Sequence, residues 1–206
     1  MLLRPRPRGE DGAVAVEAAL VMLPLFLVVI GILEMSFLMR GVTAANSAVA
    51  AGARSASVSA AAGPCGSACS NTATPRLAEV TVDAIERSGT ALPSQAIEWV
   101  MVYDADTNGM PTGQTGGFDV TKCTLNCVVY TMKSSGHLEY QSGAWNTTAE
   151  VNACVNDPNR TAVGVAIRAK HSWFTGFFGQ TYSFNQRNVM QFEPLPNDSC
   201  GKGKHA

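Results

Sequence analysis

GAVAVEAALVMLPLFLVVIGILEMSFLM, residues 12–39, is the stretch on which the rest of the chain has to be arranged. From Ala13 to Leu33 it is apolar except for one carboxylate, Glu17. As a helix rising about 1.5 Å per residue this run is about 30 Å long, enough to cross the hydrocarbon core of a bilayer. A small basic head, with Arg4, Arg6 and Arg8, precedes it. The positive-inside rule keeps those arginines in the cytoplasm and sends everything after Met39 across the membrane. The sequence therefore predicts a single-pass protein, N-terminus cytoplasmic, held by Ala13–Met39, with its C-terminal domain extracytoplasmic.

Glu17 has to be accounted for, because a charge inside a span costs roughly 2.5–3.5 kcal/mol even on a lenient insertion scale. One reading leaves it near the interface, partly hydrated and without a role. The other starts from its spacing to Gly12: a cut after Gly12 makes Ala13 the new N-terminus and Glu17 the fifth residue. A hydrophobic helix with a fifth-position Glu, behind a short basic leader ending in Gly, resembles the head of a type IV prepilin.

The resemblance is more specific than that. Residues 9–34, GEDGAVAVEAALVMLPLFLVVIGILE, are similar to the head of the TadE-like minor pseudopilins of the tight-adherence (Flp) pilus system. The shared features are the Gly, four small residues, Val16-Glu17, and an aliphatic run broken by Leu23-Pro24. AANSAVAAGARSAS (44–57) and VGVAIRAKHSWFTGFFGQTYSFNQRNVMQFEP (163–194) resemble later parts of the family, whereas Ala18 departs from it, standing where an aromatic often follows the Glu. The resemblance implies processing between Gly12 and Ala13 by a prepilin peptidase. It also implies an assembly role for Glu17, whose carboxylate would meet the α-amino group of a neighbouring subunit. An ordinary cleavable signal peptide is the competing reading of the head, with Ala48-Val49-Ala50 as a peptidase site. Against it stand the length of the apolar core and the acids Glu10, Asp11 and Glu17 at its entrance.

Outside leader and span some 165 residues are left, enough for one modest core. Only 15% of the residues are charged and the net charge is −1, so nothing suggests the basic stripe of a nucleic-acid binder. All six cysteines (Cys65, Cys69, Cys123, Cys127, Cys154 and Cys200) follow the span. An even number outside the cytoplasm reads as three disulfides, with Cys65–Cys69 the expected local pair. The spacing of Cys65-x3-Cys69 and Cys123-x3-Cys127 also matches a four-thiolate zinc site, which an oxidising compartment disfavours.

Beyond Met39 the helix is expected to run on to about Ala62, since nothing stops it before Gly63-Pro64. Ala45, Ala48, Val49, Gly52, Ala53 and Ala56 form a narrow stripe of small residues on which the protein's own sheet or a neighbouring helix can pack closely. A second helix is expected from Pro75 to Ser88, with Leu77, Val80, Ala84 and Ile85 on one face. Ile97, Trp99, Met101 and Tyr103 alternate as a strand, and Asp104–Gly117 is turn-rich. Asp104, Asp106 and Asn108 with Gly109 resemble half of a calcium loop, but Thr115 stands where the bidentate Glu belongs, which favours a hairpin connection. Cys127–Lys133 and Leu138–Gln141 read as strands, Thr148–Asn156 as a short helix presenting Cys154. Ala162–His171 and Thr181–Phe192 read as a strand pair with one buried face, joined by the aromatic turn Trp173–Gly179.

No phosphate-cradling glycine loop, nucleophile elbow or zinc-protease motif is present, and His137, His171 and His205 are scattered. The sequence therefore predicts neither an enzyme nor a bound cofactor or metal. The expected fold is α+β and pilin-like: a leader (1–12), a transmembrane helix (13–39), its extracytoplasmic continuation (40–62), and a disulfide-containing domain (63–206) with the helix packed on an antiparallel sheet of about four strands. The expected function is that of a minor pseudopilin, with the prepilin peptidase and other pilin or pseudopilin subunits as partners. The alternative is an extracellular binding protein, secreted or anchored.

Overall fold

A computed structural model describes residues 10–65, 74–88, 92–114 and 116–204. The chain divides into two compact units, one ending at Met39 and the other running from Arg40 to Ala206. Helix α1 (Glu10–Ser57) supplies the described part of the first unit and continues into the second, passing through Pro24 without a break.

In the second unit the small-residue stripe of α1 is interior. Ala45, Ala48, Val49, Ala53 and Ala56 have no exposed surface, and Gly52 is buried among them. The reason for a glycine is direct: a Cβ at position 52 would stand 2.9 Å from Ile85 Cγ1 and 3.2 Å from Thr81 Cγ2. Those two side chains belong to helix α2 (Arg76–Ser88). So the stripe receives a helix of the same chain at this level. Further back along α1, Gly41 faces the ring of Phe184, whose Cζ lies 3.9 Å from where a Cβ would be.

Two helix expectations need correction. Helix α1 ends at Ser57 and only a 3-10 turn, Ala60–Ala62, follows. The hydroxyls of Ser57 and Ser59 donate to the carbonyls of Arg54 (2.9 Å) and Ser55 (2.8 Å), and the N–H of Glu193 takes the Ser57 carbonyl at 2.9 Å. The carbonyls that another helical turn would have used are thus already bonded. In α2 the buried face is Leu77, Ala78, Thr81, Val82 and Ile85, with Val80 and Ala84 only partly covered. Because Thr81 and Ile85 must meet Gly52, the helix is turned slightly from the orientation its most apolar residues favour.

The sheet has five strands, where about four were expected: β1 (Ile97–Ala105), β2 (Cys127–Met132), β3 (Leu138–Ala144), β4 (Ala162–Ser172) and β5 (Thr181–Gln191). Their order is β3-β2-β1-β4-β5, with every pair antiparallel. One face carries Val100, Val102, Val128, Tyr130, Val165 and Ile167, which the registers set side by side. Tyr130 on this face donates to Glu79 of α2 at 2.9 Å. The other face, with Trp99, Met101, Tyr103, Val129 and Ala166, is covered by Phe118, Val120 and Cys123 from the β1–β2 connection. Val163–Ile167 of β4 are consequently buried on both sides, where one buried face was expected. The long connection closes over the second face, and its segment Asp104–Gly117 was legible only as turns. Gly164 is needed because the Tyr103 ring lies where its Cβ would be, and the Tyr103 hydroxyl then reaches the Gly109 carbonyl at 3.0 Å.

Disulfides Cys123–Cys127 and Cys154–Cys200 tie the ends of these coverings, which removes the zinc reading of the first pair. Cys65 is disulfide-bonded as well, and the expected partner Cys69 lies outside the described residues. The helix expected over 148–156 is a single turn, α3 (Thr147–Glu150), capped by the Asn146 side chain on the Ala149 N–H. It stops because the next residues pair elsewhere: Ala153 donates to the Cys200 carbonyl (2.9 Å) and accepts from Leu195 (3.1 Å). Cys154 is therefore presented by an extended segment.

Two outcomes follow for the full chain in detergent. Gly52→Leu should lower the stability of the second unit by about 1–3 kcal/mol, the usual cost of overpacking, as read by chemical denaturation. Removing the Cys154–Cys200 bridge, which closes 46 residues, should cost about 4 kcal/mol on chain-entropy grounds, against about 2 kcal/mol for the four-residue Cys123–Cys127 loop.

Candidate assembly segment and membrane helix

The sequence-predicted processing and assembly residues all fall in the first turns of α1. Gly12 and Ala13 are its third and fourth residues, both exposed. Their peptide bond lies in the one turn whose N–H groups have no intrahelical acceptor, the part of a helix that opens most easily. A Cβ on Gly12 would meet nothing within 4 Å among the described residues. Glu17 follows one and a half turns later, exposed, and among the described residues it makes no ion pair. Arg4, Arg6 and Arg8 lie outside the described residues.

From Val14 to Met39 the helix surface is a sleeve of large apolar side chains, including Leu20, Leu23, Phe26, Val28, Ile32 and Phe37, all exposed. Water is a poor solvent for such a surface, since each exposed aliphatic or aromatic side chain forgoes roughly 1.5–3 kcal/mol of burial. This helix is long and apolar enough to cross a membrane. It thus brings together an exposed glycine, a carboxylate five residues further on, and a sleeve of exposed apolar side chains.

Comparison with known proteins adds to this segment. Residues 12–54 match the family model of TadE-like proteins, a match that starts at Gly12 and takes in the apolar run and most of the buried small-residue stripe. The N-terminal segment is similar to that family. The match covers about a fifth of the chain, and the stretch 163–194 lies beyond it. No curated protein and no solved structure matches the chain. The TadE-like segment therefore coincides with α1, and the sheet carries no comparison of its own.

Elsewhere the structure assigns ordinary duties to residues that were candidates for chemistry. Asp106 Oδ1 accepts the backbone N–H groups of Asn108 and Met110, both at 2.8 Å, so it shapes a turn where a calcium loop was weighed. These bonds hold its carboxyl below the usual carboxylate range. Thr115 lies outside the described residues. His137 pairs with Glu86 at 3.2 Å, and the same carboxylate accepts the Leu138 N–H at 2.6 Å, fastening the end of α2 to the β2–β3 turn. His171 stacks edge-on against Trp173. His205 lies outside the described residues.

Asp104 is the ionisable residue whose state the sequence did not foretell. It stands near the end of β1, with Oδ1 shut off from solvent and without a hydrogen-bond partner. Burial raises its pKa to about 6, with Lys202 and the Thr112 hydroxyl opposing the rise and Glu150 adding to it. Between its unfolded value near 3.8 and about 6 the folded protein holds a proton that the unfolded chain has lost, so stability falls as pH rises through this window. Asp104→Asn should accordingly stabilise the protein at pH 7.5, by about 1 kcal/mol once solvent screening is allowed for. The difference from wild type should close as pH falls below 4, a comparison that denaturant midpoints at the two pH values would make.

Proposed function

We propose that the chain is a minor pseudopilin of the tight-adherence pilus system, a structural subunit and not an enzyme. The observation that carries the reading is that the TadE-like match lies within α1, starts at Gly12 and takes in a carboxylate five residues further on. In this reading the head stays in the cytoplasm, the peptidase opens the bond between Gly12 and Ala13, and the apolar helix stays in the bilayer. Processing supplies the ion-pair partner that Glu17 lacks among the described residues. The freed α-amino group of Ala13 on an adjacent subunit is a cation of the right sign, and two unit charges near 4 Å attract far more strongly in a low-dielectric surround than in water. Burying the carboxylate beside that amine favours packed subunits over separate ones, because an unpartnered charge in the hydrocarbon layer is costly. The apolar sleeve supplies the surface along which such subunits pack, and the folded unit from Arg40 onward would then be displayed on the outer side.

The mature protein isolated from its own host should begin at Ala13, as intact mass or N-terminal sequencing would read. A start near Ala51 would make it the product of a signal peptidase and leave an extracellular binding protein as the better reading. Glu17→Gln should be cleaved, inserted and disulfide-bonded like wild type, yet be depleted in sheared filaments relative to membranes on quantitative immunoblots. Equal incorporation would remove Glu17 from assembly.

A further inference from the structure

The two edges of the sheet are built differently. Strand β3, at one edge, is seven residues long, is bulged against β2 between Val129 and Tyr130, and carries Glu139. A short, bulged, charged edge discourages pairing with a neighbouring chain. Strand β5, at the other edge, is eleven residues long, pairs with β4 in unbroken register and contains no proline. Its one charge is Arg187.

The hydrogen bond from the Trp173 N–H to the Gln180 carbonyl fixes which backbone groups of β5 face outward. Counting from that bonded pair, bonded pairs recur at every second position of an antiparallel ladder. The N–H and C=O groups of Thr181, Ser183, Asn185, Arg187, Val189 and Gln191 therefore turn away from β4. Among the described residues no second strand pairs with β5, and no backbone hydrogen bond reaches these groups. All six residues are exposed except Ser183, which is partly covered.

This edge complements itself. With a two-fold axis at Asn185, two antiparallel β5 strands set Thr181 opposite Val189, Ser183 opposite Arg187 and Asn185 opposite its own copy. Each outward group from Thr181 to Val189 then meets an outward group of the other strand, and Thr181 with Val189 is a favourable β-branched pair. Like charges directly opposite would oppose pairing, and this register avoids them. The two arginines stand four positions apart along the ladder, about 13 Å, beyond a physiological screening length of about 8 Å.

Opposite each arginine there is instead a carboxylate. Glu98 Oε1 accepts the Ser183 hydroxyl at 3.4 Å, and its Oε2 pairs with Arg168 at 2.8 Å. The β4–β5 register puts Arg187 on the same face as Arg168, so an arginine facing Ser183 meets Glu98 as well. Arg187, exposed, donates within its own chain to the Gly109 carbonyl at 3.1 Å, so the move exchanges a neutral acceptor for a charged one. Lys170, also in this row, is exposed on a stem long enough to keep its ammonium in water.

We propose that the β5 edge is a pairing surface for a second copy of this chain, joined antiparallel about Asn185, with Arg187 of each copy against Ser183 and Glu98 of the other. The contact continues the sheet of one copy into that of the next and, being isologous, closes at two. Neither processing at Gly12 nor a membrane is needed for it.

The full chain in detergent, carrying Thr181→p-benzoylphenylalanine, is irradiated, digested and mapped by mass spectrometry. Within one strand positions 181 and 189 are about 27 Å apart, so an adduct joining them has to come from two copies. The apolar helix can also gather chains in a micelle, and for that reason the adduct site decides, not the dimer mass. The expected result is an adduct from 181 onto residues near 189, and none above background from the same probe at Leu125, which is 73% exposed. Adding Asn185→Lys sets two ammonium groups opposite each other at the axis, and adding Asn185→Pro removes an N–H that β4 does not use. Each should lower the yield at least tenfold. The lysine variant changes only an exposed side chain, so its circular dichroism melt should match that of wild type. No 181–189 adduct, adducts onto β3 or α1 in its place, or a yield that Asn185→Lys leaves unchanged would each overturn the pairing.

Discussion

The absence of a single Cβ, at Gly52, governs how the folded unit is put together. With Ile85 and Thr81 already at van der Waals distance from the bare helix backbone, α2 can lie directly on α1. That close approach fixes the rotation of α2, and the rotation brings Glu79 and Glu86 to the sheet. Glu79 then accepts from Tyr130 in β2, and Glu86 accepts from Leu138 at the start of β3. The β2–β3 half of the sheet is thus located by carboxylates whose position depends on a glycine in another element.

The sheet solves a different problem, that of covering two apolar faces with few residues. One face is covered by helices, which arrive with side chains already in rows. The other has only the β1–β2 connection, and it uses Phe118 and Val120 with a short disulfide to keep the covering in place. Trp99 and Tyr103 lie near Phe118 at 6.2 and 5.8 Å between ring centroids, tilted as aromatic pairs prefer. The Tyr103 ring also fills the space over Gly164, so one aromatic serves the covering loop and the neighbouring strand at once. Its buried hydroxyl is pushed well above the ordinary phenol range by desolvation and stays protonated, as a donor to the Gly109 carbonyl must.

The two units use apolar surface in opposite ways. From Arg40 onward the apolar side chains of α1 are small and turned inward, where closeness matters more than area. Before Met39 they are large and turned outward, suited to lipid or to other subunits. One helix therefore changes from a sleeve to a packed spine as its residues change from Leu, Phe and Ile to Ala and Gly. The exposed carboxylate in the sleeve belongs to this division, since it is no part of the folded unit's core.

By itself the sequence determined everything set by local pattern. The long apolar helix is readable because its length and apolarity are properties of a single segment, and the Gly12–Glu17 spacing because it is a distance along the chain. The stripe on α1 and the paired strands β4 and β5 are readable from periodicity, since 3.6-residue and two-residue repeats are visible without a partner. Only the tertiary structure decided what met those surfaces. It gave the stripe to α2, turned the buried face of α2 toward Thr81 and Ala78, and stopped α1 at Ser57 because Glu193, more than a hundred residues away, takes its carbonyl. It reduced the helix near Cys154 to one turn because that backbone pairs with the C-terminal segment, and it joined Cys154 to Cys200. Each of these rests on residues distant in sequence competing for the same backbone group or the same volume, and periodicity within a segment carries no record of such competition.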